Sequence, residues 1–387
     1  MKIPIAKTKL TEKEFNIIRK PLESGWLVQG QYVKNFEDKF SDYIGVKHSI
    51  AVTSCTAALH LSLSALGLSS RDEVILPAFT WISTANIVEH IGAKVVFCDI
   101  NSKTFNIDVD KIETLITPRT KAIIPVHLFG LATDMDKIME IAEKYDLWVI
   151  EDAACGFGSK YKNKHVGSFG NVGCFSFHPR KVITTGEGGM ITTDDDDLAE
   201  KLRAMRDHGA KISDFQRHHG TKPYLLPDFP YAGYNYRMTD IQASIGFTQM
   251  DRVSEILSER RELAQRYNDS LSNLDFFQIP FEDSDYQHGF QSYPCLFDVN
   301  LISSDSITST NIKRNNFMEI LQSKGISTRP ATHAVHMLTY YKEKYQIDSR
   351  DYSNSLLANE TSISFPFFNG MKPEEYSYII KNIKENI

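Results

Sequence analysis

One lysine, one aspartate and a hydroxyl-bearing turn hold the chemistry open to this sequence. Lys181 lies in the run Phe175-Ser176-Phe177-His178-Pro179-Arg180-Lys181-Val182-Ile183-Thr184-Thr185-Gly186-Glu187-Gly188-Gly189. An apolar strand delivers Ser176, and a tight glycine-rich segment follows, where a ligand approaches without side-chain obstruction. A lysine amine so placed condenses with a carbonyl to form a Schiff base, whereas an isolated lysine is ordinarily a solvated surface group. Asp152 follows the apolar run Leu147–Ile150. Ligands of open parallel sheets sit beyond the carboxyl ends of the strands, so this carboxylate faces a crevice; a helix cap is the plain alternative. Thr56, in Ser54-Cys55-Thr56-Ala57-Ala58, follows one strand and opens a helix. The first N–H groups of a helix lack internal partners and attract anions, and a hydroxyl adds a hydrogen bond; an ordinary N-cap is the alternative.

Together these groups suit a cofactor with an aldehyde, a pyridine ring and a phosphate, which describes pyridoxal 5'-phosphate. The lysine takes the aldehyde. The carboxylate keeps the ring nitrogen protonated so that the ring accepts electrons. The helix start, with its hydroxyls, holds the phosphate. Trp81, just after the strand ending at Leu76-Pro77, is placed to cover the ring face, with core packing as its alternative.

Positioning these groups requires strands that alternate with helices. Apolar runs predict strands at Ser49–Thr53, Val74–Leu76, Lys94–Phe97, Ala122–Val126, Leu147–Ile150, Val172–Phe177 and Met190–Thr193. Helical patterns fall at Thr56–Leu66, Ile82–Ile91, Val109–Ile116 and Met135–Tyr145. The alternation predicts an α/β fold: a large domain (1–250) with a mostly parallel seven-stranded sheet sandwiched by helices, and a smaller C-terminal α+β domain (251–387). Lys211–Tyr231, with three prolines, reads as a long loop. Asp240–Leu271 reads as a helix interrupted near Met250–Asp251, and Glu374–Ile383 as the last helix. Asp194–Asp197 reads as the acidic start of a helix.

The 387 residues suffice for both domains. Lysine and arginine number 43 against 49 acidic residues, and this balance argues against a nucleic-acid partner. No apolar run is long enough to span a membrane, and the first residues lack a signal-peptide stretch. The five cysteines show no paired metal-site spacing, which favours a reduced, cytoplasmic protein.

These motifs, in this order, resemble the DegT/DnrJ/EryC1/StrS family of sugar aminotransferases, which share the fold of aspartate aminotransferase. The matching stretches are Ser24–Gly30, Ser54–Leu66, Leu76–Ile87, Pro125–Gly130, Glu151–Ala154, Gly173–Met190, Gly233–Ile245 and Ser364–Met371. The resemblance implies that Lys181 is the Schiff-base lysine and proton shuttle and that Asp152 pairs with the pyridine nitrogen. Thr56, Ala57 and Ser176 become phosphate contacts, and Trp81 the stacking residue. Asn235 matches an asparagine that reaches the phosphate from a second subunit, so a homodimer with a shared active site is expected. Cys155 stands where the family usually carries glutamine or histidine against the cofactor's ring hydroxyl, and a thiol is the weaker donor. Arg329, His333 and His336 resemble the family's stretch near the substrate, and Trp26 and Thr184 lie on matching segments expected beside it. His288 and Tyr293 lie on a segment of similar character. His178 matches the motif as either a turn or a catalytic residue.

The implied reaction moves an amino group from L-glutamate to a nucleotide-linked 4-keto-6-deoxyhexose. Three alternatives stand beside it: a 3-keto-sugar acceptor, a sugar dehydratase, and a non-catalytic regulator. Dehydratase relatives carry histidine in place of the lysine, and a regulator need not retain a Schiff-base lysine.

Overall fold

The computed structural model describes residues 1–219, 224, 226–297 and 306–387. Its main sheet has seven strands: β1 (His48–Val52), β2 (Glu73–Pro77), β3 (Lys94–Cys98), β4 (Thr120–Ile123), β5 (Trp148–Asp152), β6 (Val172–Ser176) and β7 (Gly189–Thr193). They lie in the order β1-β7-β6-β5-β4-β2-β3, and only β7 runs against the others. Side chains alternate across each strand. Ala51, Ile75, Ile123 and Val149 therefore join one core, and Val52, Leu76, Ala122 and Ile150 join another on the opposite face. Helix α1 (Gln31–Ile44) covers the first face with Val33, Phe36, Phe40 and Ile44, and helix α2 (Cys55–Ala65) covers the second.

The expected strands and helices fall within a few residues of these elements. The fourth strand stops at Ile123 rather than Val126, because Pro125 has no N–H to pair with; Val126 keeps only a single bridge to Asp152. The helix break near Met250–Asp251 separates α3 (Asp240–Met250) from α4 (Val253–Leu271). Asp195 caps the helix Asp196–Arg206 through its side chain. Within the segment read as a loop, Asp214–His219 forms a short helix, while 220–223 and 225 lie outside the described residues.

A second sheet of three antiparallel strands, β8 (Phe277–Gln278), β9 (Tyr293–Phe297) and β10 (Ser362–Phe365), packs with α5 (Ile307–Ser323) and the helix Pro373–Glu385. Helix α4 belongs to both units: Val253, Ile256 and Leu257 join the first core, and Leu263, Tyr267 and Leu271 join the small-sheet core. Ile3 also packs into the small-sheet core and pairs with Ile326, so the first residues of the chain cross to the C-terminal unit. No helix among the described residues is long and apolar enough to cross a membrane.

Burial holds several imidazoles neutral. It depresses His288 to about 3 and His165 to about 4, and it also lowers His336, whose ring nitrogens make no full hydrogen bond among the described residues. The unfolded chain therefore binds protons first as pH falls. Their contribution to stability is complete above the ordinary value of ~6.5 and is lost as pH drops toward 4, at about 1.4 kcal/mol per imidazole and pH unit. Thermal melts between pH 7.5 and 5 should show a falling Tm, and His336→Phe should flatten that slope.

Candidate active site

The site lies where several strands end. Ser54 and Thr56 follow β1, Trp81 follows β2, Asp152 ends β5, and Ser176 ends β6. Strand register brings together the two turns expected to hold a phosphate. Gly189 pairs with Val52 on one side and Ser176 on the other, so the start of α2 and the Ser176 hydroxyl flank a single β7 residue. Ser54 caps α2 by accepting from the Ala57 N–H at 3.1 Å. A methyl group on Gly189 would meet the Ser54 carbonyl and come within 2.7 Å of the Cys55 nitrogen. Gly189→Ala should thus push β7 off the helix start, at a cost of about 1–3 kcal/mol. Titration with pyridoxal 5'-phosphate should show weakened binding, with a lower Tm.

Asp152 is 4% exposed. Its Oδ2 accepts from Thr84 Oγ1 at 2.7 Å, and its Oδ1 accepts from the Ala154 N–H at 3.1 Å. Burial raises its pKa above the ordinary carboxylate value, against the lowering effect of those two donors and of Lys181. Directly behind it, the Thr133 N–H donates to His127 Nδ1 at 3.1 Å, which places the ring proton on Nε2, 2.9 Å from Glu151 Oε2. Glu151 also accepts from the N–H groups of Gly167, Phe169 and Gly170. This buried network fixes the end of β5.

Lys181 Nζ donates to Cys155 Sγ at 3.1 Å. Burial acts to lower the lysine pKa; Cys155, Cys55 and Asp152 outweigh it, and the amine stands above its ordinary value. Cys155 is the only one of the five cysteines that is not buried.

A cleft of about 770 Å³ joins these groups. Thr56, Trp81, Asp152, Cys155, Ser176 and Lys181 line it, and so do Arg329 and His333 from the C-terminal part of the chain. Short pairing of His333 with Thr80 and of Ala334 with Phe79 brings that stretch alongside Trp81, and the His333 ring meets the indole edge-on at 5.6 Å. Trp81 is 55% exposed, so a face of the indole is open to a ligand. Ala57 is buried in the first turn of α2.

Other expected residues lie elsewhere. His336 is fully buried against Phe97 and Tyr352, not in the cleft, because the 3-10 turn Val335–Met337 directs it inward. Thr184 is buried too; its hydroxyl donates to the Phe177 carbonyl at 2.7 Å and accepts from the Gly186 N–H, fastening the turn after Lys181. Trp26 donates to the Gln29 carbonyl and packs against His218, away from the cleft of its own chain. His288 stacks on Phe290 in the core, and Tyr293 is buried and donates to Asn268. Asn235 is exposed and does not line the cleft of its own chain.

Thr84, Glu151 and His127 do not stand out as site residues in the sequence. Thr84 lies three residues after Trp81 inside an ordinary helical pattern, and only its contact with Asp152 reveals it. Neither do Asn311, Arg314 and Glu360, which also line the cleft.

The residues fit pyridoxal 5'-phosphate. A buried carboxylate, an amine on the opposite connection, an anion cradle that a single methyl would spoil and an open indole face share one cleft. Fold and site thus define a pyridoxal-phosphate enzyme. The chain belongs to the DegT/DnrJ/EryC1/StrS aminotransferase family, whose model matches residues 8–384. It is 41% identical to GDP-perosamine synthase of Caulobacter vibrioides over 342 residues, covering 88% of this chain and 87% of that one. GDP-perosamine synthase of Escherichia coli O157:H7 is 36% identical over 384 residues, covering 99% and 98%. Among solved structures, Spr1654 from Streptococcus pneumoniae in its PMP form superposes with a TM-score of 0.91 at 28% identity, covering 99% of this chain and 98% of that one. The protein is a sugar aminotransferase.

Proposed function

We propose that the enzyme transfers the amino group of L-glutamate to C4 of a nucleotide-linked 4-keto-6-deoxyhexose, with GDP as the nucleotide. The observation that carries the transaminase part is the shared cleft of Lys181 and Asp152, with the α2 N-terminus across the Val52–Gly189–Ser176 row. The nucleotide rests on two relatives named GDP-perosamine synthase, and the position on the resemblance to the sugar aminotransferases.

Bound pyridoxal 5'-phosphate supplies an electron sink for ionising a C–H bond beside the substrate nitrogen. Lys181 would hold its aldehyde and, once released by the substrate amine, move the proton between the two carbons that exchange it. Asp152 would hold the proton on the ring nitrogen. Ser176, Thr56 and the first N–H groups of α2 would bind the phosphate. Trp81 would cover the ring and exclude water from one face. Arg329 and His333 stand on the substrate side, where a guanidinium suits the diphosphate or the donor carboxylate. In this reading, exposed Asn235 serves the phosphate of a partner subunit, which makes the working unit a homodimer.

The test is spectroscopic and chemical. Protein loaded with cofactor should show a visible absorbance that bleaches when L-glutamate is added. Adding GDP-4-keto-6-deoxymannose should restore it, and NMR should find nitrogen at C4. Failure of any amino donor to bleach the band would leave a cofactor-binding regulator as the better reading. Nitrogen at C3 from a 3-keto substrate would replace the acceptor.

A further inference from the structure

His178 lines the cleft within three residues of Lys181, and its surroundings determine what its ring can do. The Arg180 N–H donates to its Nδ1 at 3.3 Å. Its own N–H faces Ser176 Oγ at 3.5 Å, and its carbonyl accepts from the Lys181 N–H at 2.8 Å. The ring is thus tied into the loop that carries the catalytic amine, with Nδ1 as the acceptor. A neutral imidazole with Nδ1 as acceptor has its proton on Nε2. Burial lowers the ring's pKa, reinforced by Arg180 and Lys181 and opposed by Glu187, so the neutral form prevails at neutral pH.

A neutral donor has a different use from the guanidiniums in the same cleft. Arg180 and Arg329 suit carboxylates and phosphates, which call for charge. An uncharged N–H beside Lys181 suits an uncharged oxygen, and a deoxyhexose presents such oxygens around its reacting carbon. We propose that His178 is a specificity-determining residue that donates its Nε2–H to an oxygen of the acceptor's hexose. This assignment rests on the acceptor proposed above.

The two half-reactions separate the roles, and two amide side chains separate the two ring nitrogens. His178→Asn keeps an acceptor near the Nδ1 position and loses the outer donor. His178→Gln extends an amide N–H toward the Nε2 position. Wild-type enzyme and both variants, loaded with cofactor, are followed first with L-glutamate and then, in the amine form, with GDP-4-keto-6-deoxymannose. The bleaching rate with glutamate should stay within about twofold of wild type in both. The half-saturating concentration of the sugar nucleotide should rise about tenfold in His178→Asn, the worth of one neutral hydrogen bond. His178→Gln should recover most of it. Unchanged acceptor binding in His178→Asn overturns the proposal, as does equal slowing of the glutamate step. Should asparagine unfold the loop, His178→Met decides instead: it fills the volume without a donor, and acceptor binding as tight as in His178→Gln overturns the proposal. A wild-type enzyme that bleaches with glutamate but ignores the GDP sugar would refute the acceptor reading, not the role of the imidazole.

Discussion

Lys181→Ala should leave no measurable transamination. Proton transfer by a positioned side chain contributes roughly 10²–10⁴-fold on its own, and Lys181 also makes the covalent attachment, so its removal deletes two functions at once. Cys155, a thiol 3.1 Å away, cannot replace the amine, and no second lysine is among the described residues that line the cleft. Steady-state assay with L-glutamate and the keto-sugar nucleotide measures the loss. Borohydride trapping in the wild-type enzyme, followed by peptide mass analysis, should place the cofactor on Lys181. Full activity in the alanine variant, or a trapped cofactor on another lysine, would refute the assignment. The fold should survive, because Lys181 sits at a cleft wall, while the loop around it is fastened by the Thr184 hydroxyl and by the Thr8 hydroxyl on the Pro179 carbonyl.

Asp152→Asn should lower kcat/KM by roughly 10²–10³-fold, the range seen when one preorganised electrostatic contact to a reacting system is removed. The amide is nearly the same size and can still meet Thr84 and the Ala154 N–H, so the loss reports charge and not shape. The wild-type carboxylate must be ionised to hold a protonated ring nitrogen. Because burial raises its pKa in the cofactor-free protein, capture of pyridoxal 5'-phosphate should weaken on the acid side at a pH above that of an ordinary aspartate. The asparagine variant should lose that acid limb of the binding profile, and its kcat/KM should stay low throughout. A variant with near-wild-type kcat/KM, or one retaining the limb, would mean that another group supplies the charge.

The chemistry was legible in the chain because its elements are local. The helix Met135–Tyr145 is amphipathic and capped by Asp134, so its pattern marks both ends. The strands are short buried runs of β-branched and aliphatic residues, legible to within a few residues. Lys181, Asp152, Thr56, Ser176 and Trp81 could be singled out as residues of one cleft because each follows or ends a strand, where a parallel sheet opens its crevice.

Tertiary structure decided what depends on residues far apart in sequence. His333 and His336 differ by three positions and look alike in the sequence. One faces the cleft beside Trp81 while the other fills a core, because the chain between them makes a tight turn after pairing with Thr80. Thr84 became a partner of Asp152 only through the crossing of a helix and a strand 68 residues apart. Ile3 joined the small-sheet core through a pairing with Ile326. Side-chain type and periodicity specify local conformation, so the sequence by itself determined the strands, the helices and the reactive groups at their ends. Which of those groups face one another is set by how layers pack and how strands order in the sheet, and no local pattern encodes that.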